Sequence, residues 1–117
     1  LFDTNILIDF LNAVPEARDE LALYEEKAIS IITWMEVMIG ATPDVEAPTR
    51  SFLDTFDIIS IQRDVAERAV VLRRDHRIRL PDAVIWASAD VHSMLLVTLN
   101  TKDFAKETPG IRVPYTL

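Results

Sequence analysis

Short apolar runs at residues 28–32, 56–61 and 95–98 recur between longer stretches of helical spacing, and most of them do not alternate apolar with polar residues. A strand with one wet face shows that alternation; a strand covered on both faces does not. Strands of this kind separated by helices predict a mainly parallel central sheet with helices on both sides, a three-layer α/β/α sandwich. Residues 1–3 are the tail of a first strand, and 111–113, between Pro109-Gly110 and Pro114, are expected to form a last edge strand. With only two residues ahead of Asp3, against about five in an ordinary strand, the natural protein is expected to begin a few residues earlier.

The intervening helices follow from local chemistry. Residues 5–11 form a short helix with Asn5, Asp9 and Asn12 on its polar side, and Pro15 opens a second helix to about residue 24. Thr33 is expected to cap a third helix that Gly40 ends. A fourth lies within 43–55, broken near Pro48. In 64–76 the positions Val65, Ala69 and Leu72 fall on one helical face. Pro81 is expected to precede a helix over 82–92, which is apolar nearly all round and therefore buried on several sides.

At 117 residues, half of them hydrophobic, the chain suits one domain spanning 1–117. There is no cysteine, which excludes disulfides, thiolate zinc sites and thiol catalysis and fits a reducing cytoplasm. No apolar run approaches the roughly 20 residues of a membrane helix, and no export leader is visible.

Chemistry concentrates in four polar stretches at the edges of apolar runs. They are LFDTNILIDF (1–10), ITWMEV (32–37), LPDAVIWA (80–87) and TLNTKDF (98–104), which contribute Asp3, Glu36, Asp82 and Asp103. Each acid lies where a strand ends or a helix begins, and an α/β fold gathers such places at one edge of its sheet. Singly, each has a plain explanation. Asp3 caps the next helix, Asp82 complements a helix dipole, and Asp103 belongs to a polar turn. Glu36 has Ile32, Thr33, Ile39 and Gly40 around it, an apolar face on which a buried carboxylate needs a cation or a proton. Jointly, with no His or Lys spaced to neutralise them, the four predict a centre for Mg²⁺ or Mn²⁺, the hard cations that oxygen ligands favour, suited to phosphodiester hydrolysis. Thr4, Asn5, Thr98 and Asn100 are placed to orient those carboxylates or their waters.

In order, the DTN after the first strand, the Glu in the helix after the second, LPDA leading into the apolar helix and TLNTKDF after the fourth resemble the PIN domain family. Within it, they resemble the VapC-type toxins of toxin–antitoxin pairs. The resemblance spans nearly the whole chain and implies a Mg²⁺- or Mn²⁺-dependent endoribonuclease with Asp3, Glu36, Asp82 and Asp103 on the family's acidic positions. It further implies a cognate antitoxin whose tail covers the acidic pocket, and a homodimer, with the helices at 5–11 and 33–40 as contact surfaces. One departure stands out. The family's strand-end motif often reads Thr-Arg-Asp, where this chain has Thr98-Leu99-Asn100, so Asn100 keeps an oxygen acceptor without the charge and Asp103 is taken as the fourth acid. One resident ion, with a second recruited alongside the substrate, then stands beside two resident ions.

Net charge is −7, from 12 Lys and Arg against 19 Asp and Glu, the wrong sign for a general nucleic-acid binder. The cations are unevenly spread, however. Arg63, Arg68, Arg73, Arg74, Arg77 and Arg79 supply six of the twelve, and Arg73, Arg74, Arg77 and Arg79 are the first candidates for RNA phosphates, followed by Lys102 and Lys106. Trp34 and Trp86 are expected to pack in the core, and His76 and His92 to sit at helix C-termini. Two rival functions remain open: a catalytically silent interaction module of the same fold, and an aspartyl-phosphate phosphatase or receiver. Against the latter, Asp3-Thr4-Asn5 lacks its usual second acid.

Overall fold

The computed structural model describes residues 1–117. Helices Thr4–Leu11 (α1) and Pro15–Ala22 (α2) precede strand Ala28–Ser30 (β1), and Ile31–Gly40 (α3) and Glu46–Leu53 (α4) lead to Asp57–Ile59 (β2). Arg63–His76 (α5) and Leu80–Val91 (α6) lead to Leu96–Val97 (β3) and then Ile111–Arg112 (β4).

Residues 1–3 hold the sheet together. β1 pairs in parallel with β2, and β3 in parallel with β4. Between these pairs the Phe2 amide donates to Ala28 O at 3.0 Å on one side. On the other, the Asp3 amide donates to Val97 O and the Val97 amide to Leu1 O, both at 2.8 Å, in a parallel bridge. The order is therefore β2, β1, residues 1–3, β3, β4. The chain winds outward one way to β2 and then returns to build the other half, so its direction reverses between residues 1–3 and β3. In open parallel sheets, the crevice at that reversal is where ligands bind.

Neighbouring strand residues feed opposite cores, as the pleat requires. Leu1, Leu96 and Ile111 pack with α5 and α6 residues such as Val65, Leu72 and Ile85. Phe2, Ile29 and Val97 pack with Ile6, Leu7, Leu21, Leu53 and Phe56 on the other face. Burial on both faces explains the missing alternation in the strand sequences. An ion pair ties the edge strand to the second layer: Arg112 donates from Nε and an Nη to Glu20 at 2.7 and 2.9 Å, and Tyr24 Oη donates to the same carboxylate.

Several helix ends differ from expectation. α3 starts at Ile31, with Ser30 Oγ accepting from the Ile32 amide as the cap, so Thr33 is an interior, fully buried residue. α4 is unbroken, because it starts at Glu46 and Pro48 falls in the first turn, where an amide has no helical partner to lose. α6 likewise begins at Leu80, with Pro81 inside its first turn and Arg79 as N-cap residue, which makes Asp82 a first-turn acid rather than a cap. His76 and His92 end α5 and α6 as expected. Trp86 packs edge-on against Phe104, and Trp34 lies against the core with Arg50 over its ring.

Candidate active site

Asp3 leaves the sheet at the reversal point and immediately caps α1. It is 4 % exposed, one carboxylate oxygen accepting from the Thr4 amide at 2.7 Å and the other from Thr98 Oγ1 at 2.7 Å. Asn5 Nδ2 approaches that second oxygen at 3.4 Å, and Asn5 Oδ1 accepts from the Leu99 amide at 3.3 Å, closing α1 against the loop after β3. Thr4 turns the other way. Its hydroxyl donates to Glu36 Oε1 at 2.8 Å and stands 3.0 Å from the Thr33 hydroxyl.

On the far side, Asn100 organises Asp103. Its Nδ2 donates to Asp103 Oδ2 at 3.0 Å while its Oδ1 accepts from the Asp103 amide at 3.2 Å, a reciprocal turn that the short polar side chain makes possible. The Asn100 amide in turn donates to Thr98 Oγ1 at 3.0 Å. One chain of hydrogen bonds thus runs from Asp3 through Thr98 and Asn100 to Asp103. Asp82, buried in the first turn of α6, accepts from Arg79 Nε at 3.1 Å.

Burial and neighbouring charge bear on Asp3 and Asp82. Burial raises the Asp3 carboxyl above the ordinary range and the charges of Asp82 and Glu36 raise it further, against the hydrogen bonds from Thr98 and Thr4. Burial is also the main cause for Asp82, opposed by Arg79 and reinforced by Asp103. Two groups that resist ionisation stand in an all-oxygen set of carboxylates, amides and hydroxyls, and that donor chemistry fits a hard divalent cation. As they stand, no three of the acids are placed to hold one ion together; Thr4, Asn100 and Arg79 each bond one of them.

Two sequence expectations change. Glu36 is exposed, so the burial that singled it out is absent; the buried face of α3 runs through Thr33 and Val37, which leaves Glu36 at the rim, where Thr4 reaches it. The acids are also not without a neutralising side chain. Arg79, a candidate for RNA contact in the sequence, stands three residues ahead of Asp82, one helical turn away with α6 beginning at Leu80. Arg73, Arg74 and Arg77 lie exposed at the end of α5, and Lys102 is exposed in the loop after β3. Thr33, expected as a helix cap, instead lies inside α3 with its hydroxyl 3.0 Å from that of Thr4.

Residues 1–107 match the PIN domain family. Ribonuclease VapC10 of Mycobacterium tuberculosis is 33 % identical over 112 residues, covering 89 % of this chain and 84 % of that protein. Among solved structures, the toxin–antitoxin complex from Klebsiella pneumoniae is similar with a TM-score of 0.94 at 50 % identity, covering 99 % of this chain and 98 % of that one. VapBC2 from Rickettsia felis, bound to a DNA fragment from its promoter, gives 0.75 at 25 %, covering 95 % and 93 %. The chain belongs to the PIN domain family and, within it, to the VapC type.

Proposed function

We propose that this chain is a Mg²⁺- or Mn²⁺-dependent endoribonuclease, the toxin of a toxin–antitoxin pair, acting through Asp3, Glu36, Asp82 and Asp103. The observation that carries this is the hydrogen-bonded chain at the sheet's reversal point that ties buried Asp3 to Asp103 through Thr98 and Asn100, with Thr4 reaching Glu36 and the charge of Asp82 bearing on Asp3. The ribonuclease name of the mycobacterial relative supports the substrate.

Asp3 and Asp82 would hold the ion, assisted by Asp103 and Glu36. Bound there, a divalent cation supplies the acidity that activates a water and neutralises the scissile phosphate. Thr98 and Thr4 fix Asp3, Thr4 also aims Glu36, and Asn100 fixes Asp103, so the carboxylates meet the substrate already oriented. Arg73, Arg74, Arg77 and Lys102 guide the RNA backbone toward a protein whose overall charge repels it.

The toxin–antitoxin complex among the structural relatives supports an antitoxin partner. A groove of about 460 Å³ between α1, α3 and α4 is lined by Ile8, Leu11, Val37 and Val45 and opens at Glu36. An apolar antitoxin tail seated there would end beside the acids. Met35 and Ile39, on one face of α3 and exposed to 47 % and 82 %, are suited to the contact between two copies in a homodimer. No helix is long and apolar enough to cross a membrane, and a cytoplasmic RNA target fits the cysteine-free chain.

The test is cleavage of a panel of structured RNAs with Mg²⁺, Mn²⁺ or EDTA by the wild type, Asp3→Asn and Asp82→Asn. Cutting is expected only from the wild type with metal. Cleavage that survives EDTA and both substitutions defeats the proposal, and a wild type that binds metal but cuts no RNA supports a silent interaction module instead.

A further inference from the structure

Arg79 is the only cation in an ion pair with the acidic cluster. Its Nε lies 3.1 Å from Asp82 Oδ2; its own side chain is 74 % exposed, whereas that of Asp82 is 7 % exposed. Arg79 is extended, φ −66° and ψ 150°, at the N-cap of α6, so its backbone is fixed by the helix start while its exposed side chain reaches forward over the first turn to Asp82.

Resting on the function proposed above, we propose that Arg79 is a built-in competitor of the divalent ion, holding Asp82 while no ion is bound and swinging into solvent when one takes that oxygen. A divalent ion at that oxygen and the guanidinium repel one another, so binding of either weakens the hold of the carboxylate on the other. Arg79 is suited to yield. A largely exposed guanidinium regains water on leaving, and half-exposed ion pairs are weak. A divalent ion shared among several carboxylates is not so limited. Until then, Arg79 offsets the repulsion among Asp3, Asp82, Asp103 and Glu36. A released guanidinium remains tethered beside the centre, on the side from which the basic end of α5 approaches.

The experiment follows thermal melting of the full chain against Mn²⁺ concentration for the wild type, Arg79→Gln, Arg79→Lys and Arg77→Gln. Arg79→Gln is expected to melt lower in EDTA. Its Mn²⁺-binding midpoint, fitted from the growth of the melting shift with the logarithm of concentration, should lie about two- to fivefold below that of the wild type, the range set by a partly exposed ion pair. Arg79→Lys keeps the charge on a shorter arm and should fall between them, which preserves the test if the Gln variant folds poorly. Arg77→Gln removes an equal charge two residues away, outside contact with Asp82, and should leave the midpoint unchanged. Unchanged midpoints in both Arg79 variants, or an equal change in Arg77→Gln, would overturn the competition while leaving the nuclease function intact. A wild type that shows no Mn²⁺ response removes the metal centre itself, and this proposal with it.

Discussion

Thr98 Oγ1 donates to Asp3 Oδ2 at 2.7 Å across the boundary between the two halves of the sheet, and both residues are buried. This bond joins the residue after β3 to the N-cap of α1. It also anchors the chain of hydrogen bonds that ends at Asp103.

Thr98→Val keeps the shape and removes the donor. Asp3 then retains a buried carboxylate oxygen with little support, at a cost of about 1–3 kcal/mol in the metal-free protein. Loss of an orienting bond of this type weakens metal binding by about 10–100-fold. Urea unfolding and Mn²⁺ titration read the two effects separately, and a Val variant that matches the wild type in both would leave Thr98 a purely local turn residue.

Stability of the metal-free protein should fall as pH rises out of the acidic range. Asp3 and Asp82 have folded-state carboxyls raised above the free value of 3.8. Between 3.8 and those raised values the folded state binds more protons than the unfolded chain, so acidification through this window stabilises it. Glu20 acts oppositely. Arg112 lowers its carboxyl below 4.5, so its contribution is present above 4.5 and fades as pH falls through the folded value. Melting in EDTA is therefore expected to fall as pH rises from 3.8 through the raised values of Asp3 and Asp82, and saturating Mn²⁺ should flatten or invert that trend. A curve in EDTA that rises steadily over this range would contradict the burial assigned to the two acids.

Neutralising Arg73, Arg74 and Arg77 together should weaken RNA binding and reduce its salt dependence. Single-stranded RNA contributes a slope of about 0.7 per phosphate contact, so three lost contacts lower it by about 2. Binding of an uncleaved RNA at several salt concentrations gives the slope directly. An unaltered slope would move the RNA path off the end of α5.

Much of this architecture is legible in the sequence because the strands are buried twice. Ile29 and Val97 face one core while Leu96 and Ile111 face the other, and that arrangement suppresses the alternation of a half-wet sheet. Helix starts were harder to read, for a common reason. Pro48 and Pro81 look like breaks or boundaries in a linear pattern, whereas a proline in a first turn sacrifices no hydrogen bond. A shift of two residues at α6 then hid the pairing of Arg79 with Asp82. Glu36 was selected for burial that it does not have, and its link to Thr4 spans 32 residues with no local signature.

The acidic cluster draws on residue 3 and on residue 103, nearly the full span of the chain, and Asp3 finds its hydroxyl partner 95 residues downstream. During translation, the first acid emerges from the ribosome long before the loop that carries Asp103. A growing chain, or one that terminates before residue 103, consequently lacks an assembled cluster, and the chemistry that needs all four acids waits on the synthesis of that loop.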